Sequence, residues 1–218
     1  MTARPRTALR LDALAWAYEP IAMRLCRAAA WRPAVVAAVD PRPGMRVLDL
    51  GCGPGRLCRL LARACPEATV VGVEPDPVML ARARRAATAD AADLRFVAAD
   101  ATALPATAPL DRPFDVCVST LMFHHLAPAA KRRALGEAVR LLAPGGRLVV
   151  ADWGPPATVA GHAAFAVTRL FDGRAVTRAH ADGGFVAMLR EAGVADLAER
   201  GRWPTAVGTL CLYTARKP

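Results

Sequence analysis

The segment Val47-Leu48-Asp49-Leu50-Gly51-Cys52-Gly53-Pro54-Gly55 limits the fold more than any other part of the chain. An apolar run of strand length meets glycines at alternate positions. The stretch Gly55–Ala64 then repeats apolar side chains at Leu57, Leu60, Leu61 and Ala64, one face of a helix. Glycines are needed where a turn is tight and where a ligand must approach the backbone without meeting a Cβ. Strand, glycine turn and helix in this order predict the opening βα unit of a parallel sheet.

The same alternation continues downstream. Strands are expected at 46–50, 69–73, 94–97, 114–119 and 147–151. Helices are expected at 55–64 and 78–87, and from Pro128 with a stripe of Leu135, Ala138, Val139 and Leu142 that stops at Pro144-Gly145-Gly146. A mixed stretch runs to about Asp182. A helix carrying Phe185, Met188, Leu189 and Ala192 follows, and then extended segments near 195–202 and 207–214. Strands that are near-continuous apolar runs imply a parallel sheet covered on both faces, a doubly wound α/β domain. Upstream, residues 11–30 have helical spacing broken by Pro20, and the proline-containing segment Pro33–Pro43 separates them from the sheet. The expected organisation is a helical cap at 1–32 and one α/β domain at 33–218.

Composition narrows the function classes. Apolar residues make up 54% and charged ones 22%, enough for a core and too little polarity for a disordered chain. No apolar run reaches the ~18 residues that cross a bilayer. The net charge of +10 would suit nucleic acid, an anionic membrane surface or an anionic small molecule. The arginines are scattered, however, and the pairs Arg84-Arg85 and Arg132-Arg133 fall on helix faces that read as exposed, so a solvated basic surface is expected and no stable nucleic-acid partner. Six cysteines without a C-x-x-C read as reduced thiols of a cytoplasmic protein. The basic N-terminus has no apolar core before Asp12 and Glu19, which argues against a secretory signal and leaves an organellar one open. No histidine or cysteine pair has zinc spacing, so no metal is expected. Monomer and homodimer both remain open.

Carboxylates complete the pattern. Glu74 closes the second strand, nineteen positions after Gly55, and Asp100 follows the third; the fourth ends at Ser119-Thr120. In open α/β sheets ligands bind beyond the carboxyl ends of the strands, where an acid can accept both hydroxyls of a ribose. A glycine turn and three polar positions at one edge predict a site for a nucleoside-containing cofactor.

These residues resemble the class I S-adenosylmethionine-dependent methyltransferases, in particular the branch acting on small molecules such as quinone precursors and lipids. The resemblance rests on VLDLGCGPG (47–55), VGVEPDPVML (71–80), FVAADATALP (96–105), and FDVCVSTLMFHHL (114–126) with RLLAPGGRLVVADW (140–153), in order and at matching spacings. It implies a seven-stranded, mostly parallel Rossmann-like sheet of order 3-2-1-4-5-7-6, the seventh strand antiparallel. It also implies S-adenosyl-L-methionine as cofactor and a small-molecule methyl acceptor, with 154–184 and the N-terminal helices as a lid. The cofactor positions it implies are Asp49, Gly51, Cys52, Gly53 and Gly55 in the first motif, Glu74 and Pro75 in the second, Asp100 and Ala101 in the third, and Ser119. Tyr18, in WAYEP, resembles a tyrosine that closes over the cofactor, although the usual Tyr-Asp reads Tyr-Glu here.

Methyl transfer from a sulfonium is an in-line displacement for which positioning and desolvation supply much of the acceleration. A base is needed only when the acceptor must lose a proton. His124 and His125 are the candidates for that role, with Asp152 and Trp153 nearby. His162 and His180 read as exposed. Two alternatives stand beside this reading: a nicotinamide-dependent oxidoreductase on a related sheet, disfavoured by Arg56 where a third glycine would fall, and a basic RNA methyltransferase. The latter is disfavoured because Ser119-Thr120-Leu121-Met122 stands where base-amino methylases carry Asn-Pro-Pro-Tyr. A non-catalytic scaffold would have no physical need for the intact glycine turn and acids.

Overall fold

The computed structural model describes residues 24–88 and 93–218. Helix α1 (Ala28–Val39) leads to β1 (Arg46–Leu50), α2 (Arg56–Ala64), β2 (Thr69–Val73), α3 (Pro77–Ala87), β3 (Leu94–Val97) and β4 (Phe114–Thr120). A 3-10 turn (Phe123–His125) precedes α4 (Pro128–Leu141) and β5 (Leu142–Gly154). Then come α5 (Val159–Asp172), α6 (Arg174–Ala181), α7 (Gly184–Glu191), β6 (Ala195–Thr205) and β7 (Gly208–Arg216). The strands form one seven-stranded sheet in the order β3-β2-β1-β4-β5-β7-β6. The ladders among β1 to β5 are parallel, and β7 is antiparallel to both β5 and β6. An antiparallel strand inserted before the last one departs from the 3-2-1-4-5-6 order of dinucleotide-binding sheets, which removes the oxidoreductase alternative.

Side chains alternate across each strand and so divide the core in two. Leu48, Leu50, Val71, Val73, Cys117, Leu148 and Val150 face one way and meet Leu135 and Ala138 of α4 and Phe185 and Leu189 of α7. Val47, Val70, Val116, Val118 and Val149 face the other and meet Trp31, Val35 and Val39 of α1 and Leu57, Cys58 and Leu61 of α2. Helix starts follow local chemistry. Asp76 caps α3, its Oδ1 accepting from the Val78 and Met79 amides at 2.7 and 3.3 Å, with Pro77 in the first turn, a cap worth about 1 kcal/mol. Pro128 occupies the first turn of α4 as the sequence predicts.

Three expectations need correction. The boundary placed at 32/33 falls inside α1, which continues through Pro33. Trp31, Val35 and Val39, four residues apart, are buried on the sheet, and that burial outweighs the roughly 3 kcal/mol that an internal proline costs a helix. Strand β5 extends past residue 151 to Gly154, because the β7 ladder pairs it from Arg147↔Arg216 to Gly154↔Thr209. Strand β6 runs past the expected 202 to Thr205, its ladder with β7 continuing through Trp203↔Leu210, Pro204↔Thr209 and Thr205↔Gly208, and as an edge strand it accommodates Pro204.

Candidate functional site

The glycine turn hangs from the end of β2. The amides of Gly51 and Cys52 both donate to the Val73 carbonyl, at 2.9 and 3.0 Å. Gly51, Gly53 and Gly55 have φ of +70°, +54° and +73°, conformations that disfavour any side chain. A Cβ at Gly51 would lie 2.3 Å from Cγ of Met122, so that glycine is also required by close packing. At Gly53 a Cβ would meet nothing within 4 Å, which leaves bare backbone beside open space.

Glu74 ties this turn to the start of α3. Its Oε2 accepts from the Gly53 amide at 3.0 Å and its Oε1 from the Asp76 amide at 2.9 Å. Burial raises the Glu74 pKa, and these two amides oppose the shift. Each carboxylate oxygen has a second lone pair, so the group can hold the turn and still accept two hydroxyls. Pro75 lies between Glu74 and the Asp76 cap.

Asp49 is buried under α2, where its Oδ2 accepts from the Cys58 thiol at 3.2 Å and its Oδ1 finds no partner among the described residues. Burial, reinforced by the charge of Glu74, pushes its pKa up to about 7 against the Cys58 hydrogen bond. The folded value lies above the unfolded one near 4, so the stability gained from the neutral acid is complete below about pH 4 and is lost as pH rises through about 7. Thermal melts of the wild type and Asp49→Asn across pH 4–8 should diverge accordingly. The wild type loses Tm relative to the variant up to about pH 7, and the difference is constant above it.

The remaining positions that the sequence assigns to a cofactor divide. Asp100 is exposed, with its Oδ1 capping its own turn through the Thr102 amide at 2.8 Å, and Ala101 is buried beside it. Ser119 is buried and its hydroxyl donates to the Leu50 carbonyl at 2.8 Å. With that hydroxyl it braces the ends of β4 and β1. Cys52 is buried, its thiol within hydrogen-bond reach of Cys58. Tyr18 lies outside the described residues.

At the neighbouring strand ends, four histidine-linked groups meet. His124 is buried, with Nδ1 2.7 Å from Asp152 Oδ1 and its amide reaching Asp152 Oδ2 at 3.4 Å. Asp152 also accepts from the Trp153 amide at 2.7 Å. Burial pushes the His124 pKa down, followed by the neighbouring His125; the two flanking histidines and these hydrogen bonds hold Asp152 well below the usual carboxylate range despite its burial. The His124 Nε2 faces Asp172 Oδ2 at 3.7 Å. His125 is half exposed, its Nδ1 3.4 Å from Asp172 Oδ1. His125 opposes electrostatically the rise that burial imposes on the Glu74 pKa.

His180, expected on the surface, is buried. Its Nδ1 donates to the Trp153 carbonyl at 2.7 Å, its ring stacks on Phe185 at 4.4 Å, and burial pushes its pKa down to about 4. His162 is exposed as expected.

Lys131 was not singled out by the sequence reading. It is buried and donates to the carbonyls of Phe123 and of Leu126, the latter at 2.7 Å, clamping both ends of the turn that carries His124 and His125. Burial pushes its pKa down to about 8. Its signal was compositional: it is one of two lysines among 29 basic residues. Lys131→Met should cost about 2 kcal/mol in chemical denaturation, the scale of charged hydrogen bonds, and leave cofactor affinity unchanged in calorimetry.

Comparison with known proteins agrees with this arrangement. Residues 47–146 match the methyltransferase domain family. The demethylmenaquinone methyltransferase of Thermus thermophilus is 44% identical over 126 residues, 58% of this chain and 55% of that protein. The trans-aconitate 2-methyltransferase of Methylobacterium nodulans is 39% identical over 121 residues, 55% of this chain and 43% of that protein. The chain thus spans about half the length of the curated relatives it matches. An O-methyltransferase family protein from Burkholderia thailandensis shares the fold with a TM-score of 0.73 at 21% identity, over 94% of this chain and 60% of that one. The sheet order and the glycine turn braced by Glu74 thus frame a segment, residues 47–146, that matches the methyltransferase domain family over a little under half of the chain.

Proposed function

We propose that the protein transfers a methyl group from S-adenosyl-L-methionine to a small-molecule acceptor. The observation that carries this reading is the Glu74 carboxylate, fixed by two backbone amides beside the uncovered backbone of Gly53. That arrangement fits a ribose and a short polar tail. When bound, the sulfonium supplies an electrophilic methyl carbon. Glu74 orients the sugar, the glycine turn admits the tail, and Asp49, Cys52, Gly55 and Ser119 hold the turn in shape. Asp100 and Ala101 border the position expected for the base.

His124, His125 and Asp172 form the acceptor end, where they activate an acceptor hydroxyl or acidic C–H. Helix α5, within the 154–184 lid, exposes Leu170 and Phe171 next to Asp172, and Arg169 of the same helix is half-buried. This combination supports an apolar acceptor with an anionic group. The relatives' names, which specify a demethylmenaquinone and a trans-aconitate, support the small-molecule class. Among the described residues no helix is long and apolar enough to cross a membrane. The six cysteines are all free and buried, which supports a reducing, cytoplasmic setting.

The test is calorimetric titration with S-adenosylmethionine and its homocysteine product, followed by radiolabelled methyl uptake into a panel of quinols, phenolic acids, unsaturated di- and tricarboxylates and amines. Saturable cofactor binding with transfer to anionic or phenolic acceptors is expected. Absence of binding overturns the reading, and transfer to cationic amines alone overturns the acceptor class.

A further inference from the structure

We propose that His124, His125 and Asp172 form a binding site for a divalent transition-metal ion of the zinc type. Among the described residues these three each bring one potential ligand atom to within 4.8 Å of the others. The sequence offered no such pattern, because Asp172 comes from the end of α5, far along the chain from the two histidines.

Asp172 reaches the two rings through its two oxygens, Oδ2 to His124 Nε2 at 3.7 Å and Oδ1 to His125 Nδ1 at 3.4 Å. Both exceed good hydrogen-bond lengths. Tetrahedral coordination with bonds of about 2.0–2.1 Å puts adjacent ligands about 3.4 Å apart. The ring orientation points the same way. Asp152 holds His124 through Nδ1, which turns Nε2 toward the Asp172 carboxylate. A divalent cation between them would be held by the ring nitrogen and by the anionic oxygen.

A carboxylate on the far nitrogen is also the usual support of a metal-bound histidine, fixing ring orientation and raising its basicity. Asp152 fills that role, and Lys131 holds the turn in place from behind. Two imidazoles and one carboxylate suit zinc, iron or nickel rather than the all-oxygen preference of magnesium or calcium. Three protein ligands leave a position open. His125 is 49% exposed at its side chain, so the open side reaches solvent. His180 stands apart, its Nδ1 committed to the Trp153 carbonyl.

The use of the open position rests on the methyl-transfer reading. It takes an acceptor oxygen and favours loss of that oxygen's proton to solvent before the oxygen attacks the methyl carbon. The ion would thus select acceptors with an ionisable hydroxyl or enol.

The test uses the full chain without a histidine tag, stripped with chelator and titrated with Zn²⁺ by calorimetry and with Co²⁺ by absorption. S-adenosylmethionine affinity is measured in parallel. One Zn²⁺ per chain is expected, together with visible cobalt bands that lack a near-ultraviolet sulfur band. His125→Ala and Asp172→Ala should each weaken the metal about 10- to 100-fold, while His162→Ala does not, and cofactor affinity is retained in all three. Stoichiometric binding that neither variant weakens, or a sulfur-to-cobalt band that places the ion at the cysteines, overturns the proposal. So does cofactor binding without any Zn²⁺ uptake, which leaves the histidines as proton acceptors only. Failure to bind either ligand counts against the methyl-transfer reading itself.

Discussion

Replacing Glu74 with Ala is expected to weaken S-adenosylmethionine binding about 100-fold, roughly 3 kcal/mol. Two losses combine. The ribose loses a charged acceptor, and the Gly53 and Asp76 amides lose the carboxylate that fixes the turn at 3.0 and 2.9 Å. Glu74→Gln separates these contributions. An amide keeps one acceptor for one of the two backbone groups but turns its NH₂ toward the other, so a loss of about tenfold is expected. Calorimetry on folded protein reads both variants. Unchanged affinity in Glu74→Ala would show that the carboxylate does not grip the ligand.

The second large effect is at Asp152. Asp152→Ala strands the His124 ring N–H and the Trp153 amide in a dry interior and removes the negative charge nearest Lys131. Unmet buried donors cost about 1–3 kcal/mol each, so a total near 3 kcal/mol and a fall in Tm of about 10 °C are expected. The His124 ring is then free to turn, and methyl transfer should drop sharply while S-adenosylmethionine affinity is preserved. A variant that loses both in equal measure would instead indicate general unfolding, and the melt distinguishes the two.

What the sequence revealed and what it concealed follow from how local each signal is. The glycine turn and Glu74 are read from neighbouring residues, since their partners lie within a strand, a turn and the next helix. The sheet order was legible through the family resemblance, because apolar runs alone do not say which strand inserts between β5 and β6. Asp172 and His180 gave no local signal. Their partners sit on strand ends and turns remote in sequence, and only packing of α5 over β7 and of α6 over β5 brings them together. Pro33 misled in the opposite sense: a strong local breaker was overruled by the burial of Trp31, Val35 and Val39. Ser119 stands at the right strand end but turns its hydroxyl inward to Leu50, a choice set by strand pleat and not by residue type.

The alternation of side chains along the strands has one further effect. Asp49 is directed beneath the layer of α1 and α2, whereas Asp152 enters the layer formed by α4 and α7. The residue that braces the glycine turn and the one that braces His124 therefore stand in different halves of the interior, with the sheet between them. On the proposed function, a library randomising the α4–α7 layer should alter acceptor turnover through Asp152 and leave S-adenosylmethionine affinity unchanged.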